Sequence, residues 1–269
     1  MAIIRVSGQS IGTSDPGYNT IVITYPNNVT VGNLLVFGVA SYYTSASLSN
    51  ISMTSGTATL GTITLDGYYQ NSSYSSGEQG VSIFSAPVTG TGSCVISLNQ
   101  ATNGLYYSSL ALQEYTGVDV SSSRVFGTST GTGTSLSPST SNITSPSQGG
   151  AFVGGLAYNE EGTFTISTGT NFSNIYNTVD TQYLPCAFED YLVSSSISSP
   201  ANWTITGGSS EPYAALVVGY KASGTSTTYT TPYINVGGTW NTVINAWVYT
   251  GGSWKIAQNC ETNNSGTWS

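Results

Sequence analysis

Leu34-Leu-Val-Phe-Gly-Val-Ala40 carries no polar side chain, and it lies between Gly32-Asn33 and a segment rich in Ser and Tyr. A strand with one face in water alternates apolar and polar residues, whereas a strand buried on both faces reads as a continuous apolar run. Phe152-Val-Gly-Gly-Leu-Ala157 and Ala214-Ala-Leu-Val-Val-Gly219 have the same character. These three runs predict the central strands of a β-sandwich, or strands that a neighbouring subunit covers.

Outward from these runs, the first 222 residues contain a succession of short segments typical of strands. The segments are rich in Val, Ile, Thr and Tyr, and they end at clusters of Gly, Ser, Asn or Pro. No segment has the 3.6-residue period of an amphipathic helix. We therefore predict an all-β protein in which residues 1–222 form an antiparallel, jelly-roll-like β-sandwich.

Two features of this region are less regular. Tyr107-Ser-Ser-Leu-Ala-Leu112 is similar to Tyr213-Ala-Ala-Leu-Val-Val218. Paired central strands of one sandwich would look alike, so we interpret the similarity in that way and do not favour an internal duplication. The segment Gly127–Gly150 has a low-complexity Ser/Thr/Gly/Pro composition, and it is predicted to be a long surface loop.

A different kind of sequence follows a Ser/Thr-rich linker at residues 223–232. Tyr233-Ile-Asn-Val-Gly-Gly-Thr-Trp240 aligns with Trp247-Val-Tyr-Thr-Gly-Gly-Ser-Trp254, at an offset of 14 residues. A degenerate third copy ends at Trp268 with the same offset. Gly-Gly between β-prone residues supplies the two-residue turn of a tight hairpin. Residues 233–269 are therefore predicted to form a small β-hairpin module.

This module is too small to bury its large aromatic residues by itself, because domains of about 40 residues usually need disulfides, metals or association. The residues concerned are Tyr233, Trp240, Trp247, Trp254 and Trp268. We predict that they form an assembly interface between subunits. Two alternatives remain open: these side chains pack on the sandwich of their own chain, or they form an exposed platform that binds sugars.

The hairpin repeat, Val236-Gly-Gly-Thr-Trp240 and Thr250-Gly-Gly-Ser-Trp254-Lys255, resembles the tandem hairpins at the end of many structural proteins of tailed bacteriophages. The preceding region is similar to β-sandwich domains of phage virion proteins, on the motifs Val31-Gly-Asn-Leu-Leu-Val-Phe37, Leu112-Gln-Glu-Tyr-Thr-Gly-Val118 and Tyr213-Ala-Ala-Leu-Val-Val-Gly-Tyr-Lys221. Together these motifs span most of the chain.

The resemblance implies a virion protein, a tail or head fibre or a receptor-binding component, made in the host cytoplasm and assembled into the particle. It implies a homo-oligomer, a trimer by analogy with phage fibres, that contacts other virion proteins. The alternatives are a capsid decoration (cement) protein and, outside the virion class, a bacterial carbohydrate-binding module.

Composition excludes several other functions. The chain has 4 Lys plus Arg against 12 Asp plus Glu, a net charge of −8, and no His. Only 6% of its residues are charged, against about 25% in typical soluble domains, so it lacks the basic surface that nucleic acid binding needs. Without His there is no Ser-His or Cys-His pair. We expect no cofactor, no nucleic acid partner and no insertion into a membrane.

Carboxylates are the remaining route to catalysis, because glycoside hydrolysis needs only two of them. The candidates are Asp66, Glu114, Asp119, the doublet Glu160-Glu161 and the doublet Glu189-Asp190. Neighbouring residues of a strand point to opposite faces, so neither doublet forms a working pair by itself. No Asp-x-Asp-x-Asp spacing indicates a calcium site. The chain is therefore predicted to be non-enzymatic and without a bound metal.

A surface of Ser, Thr, Asn, Gly and Tyr suits adhesion, because tyrosine rings provide rigid contact area and small polar residues adapt around them. Tyr68, Tyr69 and Tyr74 form the best local cluster, beside the Gly/Ser-rich segment 71–77. We predict that these three tyrosines contact a host surface glycan. The alternative is that they belong to the core or to a subunit contact.

Overall fold

The fold was analysed in a computed structural model of the 269-residue chain. It describes residues 2–15, 20–42, 45–72, 79–101, 105–159, 163–179 and 184–224, together with the backbone of 233–236, 239–242, 247–250 and 253–256. Every regular element within these ranges is a β-strand, as predicted. The chain divides into two compact units, Met1–Gly224 and Thr225–Ser269.

The strands of the first unit fall into two consecutive halves. Residues 2–116 contain β1 (Ile4–Arg5), β2 (Ile11–Asp15), β3 (Thr20–Thr24), β4 (Leu34–Tyr42), β5 (Ile51–Gly56), β6 (Thr59–Leu60), β7 (Thr64–Asn71), β8 (Gln79–Gly90), β9 (Cys94–Asn99) and β10 (Tyr106–Thr116). Residues 117–222 contain β11 (Val125–Thr134), β12 (Ile143–Thr144), β13 (Gly150–Tyr158), β14 (Thr165–Thr168), β15 (Ser173–Thr178), β16 (Cys186–Val193), β17 (Ser198–Ser199), β18 (Trp203–Thr206) and β19 (Pro212–Lys221).

Both halves have the same antiparallel strand order. The first large sheet runs β2-β10-β4-β8-β7, with β1 and β6 extending its edges, and β3-β9-β5 form a smaller sheet. The second large sheet runs β11-β19-β13-β16-β15, while β14 pairs with β18 and β12 pairs with β17. In the first half β10 lies between β2 and β4, and β8 lies between β4 and β7; in the second half β19 lies between β11 and β13, and β16 lies between β13 and β15. This order is jelly-roll-like, so the predicted antiparallel sandwich is confirmed.

The repeated order corrects the interpretation of the similarity between the segments that begin at Tyr107 and Tyr213. The two segments are β10 and β19, which lie in different large sheets and do not pair with each other. Each is the last strand of its own half and lies beside the central apolar strand of that half, β4 or β13. The first unit is therefore a structural repeat of two jelly-roll-like halves.

The two large sheets pack face to face, and each also carries a smaller layer on its other face. Val36 and Ile83 of the first large sheet share a core with Val153 and Leu216 of the second. The outer core of the first half joins β4 to β3 and β9, and that of the second half joins β13 to β14 and β18. Because each large sheet is covered on both faces, β4, β13 and β19 are apolar on both, as predicted.

Glycine lets the two large sheets approach closely at their centre. A Cβ atom on Gly38 would lie 2.3 Å from Cδ1 of Phe188, and one on Gly155 would lie 2.8 Å from Cε1 of the same ring. Phe188 is 1% exposed and cannot move outward. The ring therefore fills the space that two missing side chains leave.

We expect Gly38→Ala to destabilise the first unit by about 1–3 kcal/mol, because the added methyl group overpacks a closed core. The free energy of unfolding in urea measures the effect. Gly127→Ala is the matched control, since its Cβ would meet Ile143 at an ordinary 3.6 Å. Equal stability of the two variants would contradict the proposed fit of Phe188.

The prediction of a surface loop over Gly127–Gly150 is wrong in its first part. Val125–Thr134 is the ten-residue strand β11, which pairs with β19 along its length. Thr128, Thr130 and Thr132 are exposed and alternate with less exposed residues. Threonine is β-branched and favours extended backbone, and this preference outweighs the low complexity of the segment.

The described backbone of the second unit forms two hairpins. Strands β20 (Tyr233–Val236) and β21 (Thr239–Thr242) pair around residues 237–238, and β22 (Trp247–Thr250) and β23 (Ser253–Ile256) pair around residues 251–252. These are the two Gly-Gly hairpins that the repeat predicts, with Trp240 and Trp254 on the return strands.

Candidate functional site

Strand direction gives the first unit two distinct ends. At one end, which we call the loop end, the hydroxyl of Tyr42 donates to Oδ1 of Asn159, and Nδ2 of Asn71 donates to the carbonyl of Tyr213 at 3.1 Å. These contacts join the last residues of β4 and β7 to residues at the end of β13 and the start of β19. The connections on the loop end are 16–19, 43–50, 72–78, 100–105, 135–138, 159–164, 179–185 and 207–211.

The opposite end, which we call the exit end, carries both termini of the first unit. β1 begins there at Ile4, and Ser223 donates its backbone N–H to the carbonyl of Gly117 at 2.7 Å. Residue 224, the last residue of the first unit, therefore lies at the exit end.

Tyrosine is concentrated at the loop end. Eight tyrosines lie in strands and nearer to the loop-end terminus than to the other: Tyr42, Tyr68, Tyr69, Tyr106, Tyr107, Tyr158, Tyr176 and Tyr213. The loop-end connections contain four more in the sequence, Tyr18, Tyr43, Tyr74 and Tyr183, which lie outside the described residues. Twelve of the 19 tyrosines thus belong to this end, whereas the same count at the exit end gives four: Tyr25, Tyr115, Tyr191 and Tyr220.

Three half-buried tyrosines line the rim where the two large sheets meet. We call Tyr42, Tyr69 and Tyr107 the seam tyrosines, because each packs on the loop-end margin of the core between the halves. The rings of Tyr42 and Tyr107 meet edge to face, with centroids 6.0 Å apart and planes at 69°. Asn159 of the second half lies beside them through its contact with Tyr42.

The backbone at Tyr107 is strained. Its φ angle is 44°, in the left-handed region that bulky residues avoid, and the pairing of β10 with β4 shifts register between Tyr106 and Ser109. Bulges and such outliers cluster at functional sites, where they re-aim a side chain. Here the irregularity places the Tyr107 ring against Tyr42 at the seam.

The predicted glycan-contact residues are not all brought together. Tyr68 is 62% exposed, and Tyr69 packs at the seam, on the opposite face of β7. Tyr74 lies outside the described residues. The prediction for these three tyrosines stays a prediction. The structure places Tyr42 and Tyr107 with Tyr69 at the seam.

A signal for these two residues exists in the sequence. Three Tyr-Tyr doublets, at 42–43, 68–69 and 106–107, all map to the loop end. The sequence does not say which strand ends meet, so the doublets at 42–43 and 106–107 gain a meaning only from the fold.

The predicted assembly residues lie in the second unit. Tyr233, Trp240, Trp247 and Trp254 occupy the strands of the two hairpins, where only the backbone is described. Trp268 lies outside the described residues. Their role in assembly stays a prediction.

The chain's only two arginines hold the two halves together in a reciprocal way. Arg5 of the first half donates to Asp190 of the second, and the Tyr115 hydroxyl donates to the same carboxylate at 2.6 Å. Arg124 of the second half lies 3.8 Å from Asp66 of the first, and the Tyr220 hydroxyl donates to that carboxylate at 2.8 Å. Each half therefore contributes one Arg, one Tyr and one Asp to these contacts with the other half. We call these two sets the Arg–Asp–Tyr clamps.

Two further carboxylates are buried within single halves. Glu114 accepts hydrogen bonds from Nε2 of Gln9, the backbone N–H of Thr30 and Nδ2 of Asn33. Glu189 accepts from the backbone N–H groups of Gly169 and Asn202 at 2.9 and 3.2 Å. Burial raises the pKa of Glu189 to about 8, and the nearby Asp190 adds to the rise while the two N–H donors oppose it.

These contacts decide what the carboxylates can do. As expected from strand geometry, Glu189 and Asp190 point to opposite faces of β16, Asp190 into the core between the halves. A cavity of about 450 Å³ at the exit end contains one titratable side chain, Asp119. One carboxylate cannot supply the acid and base of glycoside hydrolysis. Glu160 and Glu161 lie outside the described residues.

The two described cysteines are packed in the core. Cys94, Ile96 and Leu98 share the buried face of β9, and Cys186 is buried between the halves. Among the residues described, no three or more Cys, Asp or Glu side chains converge as metal ligands. Nor does that part of the chain contain a helix long and apolar enough to cross a membrane.

Comparison of the chain with protein-family models, with curated proteins and with solved structures finds no match in any of the three.

Proposed function

We propose that this chain is a non-enzymatic virion protein of a tailed bacteriophage, a fibre or receptor-binding component whose loop end binds a host surface glycan. The observation that carries the proposal is the position of the seam tyrosines Tyr42, Tyr69 and Tyr107 at the end away from residue 224. A protein that displays a binding surface needs its recognition residues and its attachment point at opposite ends.

The chemistry of the seam suits a sugar ligand. Aromatic faces pack against the C–H groups of a pyranose ring, and a neighbouring amide such as that of Asn159 can bond ring hydroxyls. Tyrosine already held by its neighbours loses little conformational entropy on binding. Contacts from both halves hold the seam, so its rings are ordered before a ligand arrives.

In this proposal the second unit attaches the protein to its own copies and to other virion proteins. The two hairpins present sheet edges and carry Trp240 and Trp254, which a symmetric partner would cover. A trimer is proposed by analogy with phage fibres alone. A capsid decoration protein would use the same architecture, with assembly as its main role.

We expect the double variant Tyr42→Ala, Tyr107→Ala to bind host glycan about a hundredfold more weakly, because each lost stacking ring costs about 1.4 kcal/mol, or tenfold. Purified full-length protein is applied to an array of bacterial surface oligosaccharides, and the affinities are then measured by calorimetry.

Two controls separate binding from folding. Tyr107→Phe keeps the ring and should keep the affinity. Tyr191→Ala removes a half-buried tyrosine from the exit-end part of β16 and should bind as the parent protein does. Undiminished binding by a folded double variant would remove the seam from consideration.

A further inference from the structure

The cations of this chain are distributed unevenly. Arg5 and Arg124 lie in the Arg–Asp–Tyr clamps, and Lys221 ends β19 at the exit end. The remaining cation, Lys255, belongs to the second unit. The chain has only these four, so no connection or strand end at the loop end carries a positive side chain.

Carboxylates, in contrast, are present at the loop end. Asp15 ends β2 and Glu211 precedes β19, both at the loop end. Glu78, Glu160, Glu161 and Asp180 lie outside the described residues and enter here only through their place in the loop-end connections. Six of the 12 carboxylates thus belong to the end that holds the seam tyrosines.

This distribution sets the class of ligand that the seam can take. A uronate, phosphate or sulfate group is bound in proteins by Arg, Lys or converging N–H groups that replace its water. At the loop end such a group would lose water with no cation to pair with, and the carboxylates of that end would repel it, an effect that falls off over a Debye length of about 8 Å. An uncharged pyranose meets neither penalty.

We propose that the ligand of the seam is an uncharged saccharide and that anionic host polymers are rejected. The inference rests on the proposed function, since it names the ligand class of the same site. Selectivity comes from the absence of a cation at the loop-end strand ends and connections and from the carboxylates Asp15 and Glu211 at the strand ends there.

A matched pair of probes tests the charge alone. Each neutral oligosaccharide that binds full-length protein is compared with its uronate derivative, in which the C6 hydroxymethyl group is oxidised to a carboxylate. We expect the uronate to bind at least tenfold more weakly at low ionic strength. The difference should shrink as salt is added, because screening weakens repulsion between exposed charges.

A cation placed at the loop end should reverse the selectivity. Thr163 is exposed in the connection 159–164, so Thr163→Lys is expected to strengthen uronate binding several-fold and to leave neutral binding unchanged. Ser122→Lys, at an exposed position of the exit end, has the same net charge and should change neither affinity.

The outcomes distinguish the two proposals. Uronates that bind as tightly as their neutral parents would overturn the selectivity and leave saccharide binding in place. Equal gains from the two lysine variants would also overturn it, since net charge and not position would then decide. If no saccharide binds at all, the proposed function itself falls, and the ligand class falls with it.

Discussion

Asp66→Ala is expected to destabilise the first unit by about 3–5 kcal/mol, which is the usual cost of removing one partner of a buried ion pair. Arg124 is 6% exposed, so its guanidinium would remain buried without the carboxylate that balances it. The Tyr220 hydroxyl, also buried, would lose its acceptor. Each loss leaves a polar group away from water and without its partner.

Equilibrium unfolding in guanidinium chloride measures this effect. Asp66→Asn keeps an oxygen for Tyr220 and should lose less. Asp119→Ala removes a partly exposed carboxylate that caps the N–H of Ser121, and it should cost under about 1 kcal/mol. Losses of the same size from Asp66→Ala and Asp119→Ala would show that the clamp does not hold the halves together.

The reciprocal clamp should respond in the same direction but more weakly. The side chain of Arg5 is 25% exposed, so water replaces part of what Asp190 provides. Burial raises the pKa of Asp66, although Ser85, Tyr220 and Arg124 all favour its charged form. At Asp66, therefore, the cost of dehydrating the carboxylate outweighs the stabilisation that these three partners give to its charged form.

Glu189→Gln is expected to remove most of the pH dependence of stability between pH 4.5 and pH 8. The pKa of Glu189 is raised from 4.5 to about 8 in the folded protein, so the folded state holds a proton that the unfolded chain releases. The stability that this proton provides is complete below pH 4.5 and is lost as pH rises through 8. Its full extent is about 5 kcal/mol, at 1.36 kcal/mol for each pH unit.

The measurement is the free energy of unfolding of parent and variant from pH 4 to pH 9. Below pH 5 the two proteins should be similar, because Gln is an uncharged isostere of the protonated acid. At pH 9 the variant should be the more stable. Parallel curves for parent and Glu189→Gln would contradict the assignment.

The sandwich could be predicted because its strands report burial directly in their residue pattern. Leu34–Ala40 is apolar on both faces, and β4 is covered on both. The pattern does not say which layer covers each face, so the doubling of the fold could not be read from it. Period-two alternation gives the face on which a residue lies, and pairing between distant strands then decides the sheet.

The site was less predictable than the fold. The clamps join residues 185 and 58 positions apart, and single Arg and Asp residues give no local signal of such partners. The positions of the seam tyrosines depend on the bulge at Tyr107 and on the pairing of the end of β4 with the start of β10. The Tyr-Tyr doublets mark these positions, but their meaning depends on knowing which strand ends meet.

Reciprocity between the halves also bears on how the protein is made. A ribosome completes residues 1–116 while Asp190 and the sheet that covers Val36 and Ile83 are still untranslated. At about 5–20 residues per second, the missing half needs roughly 5 to 20 s to be synthesised. During that interval the newborn first half carries a broad apolar sheet face and an unpartnered Arg5. Such a surface is a substrate for chaperones, so the yield of this protein in a cell depends on the holding capacity of the host as well as on its final stability.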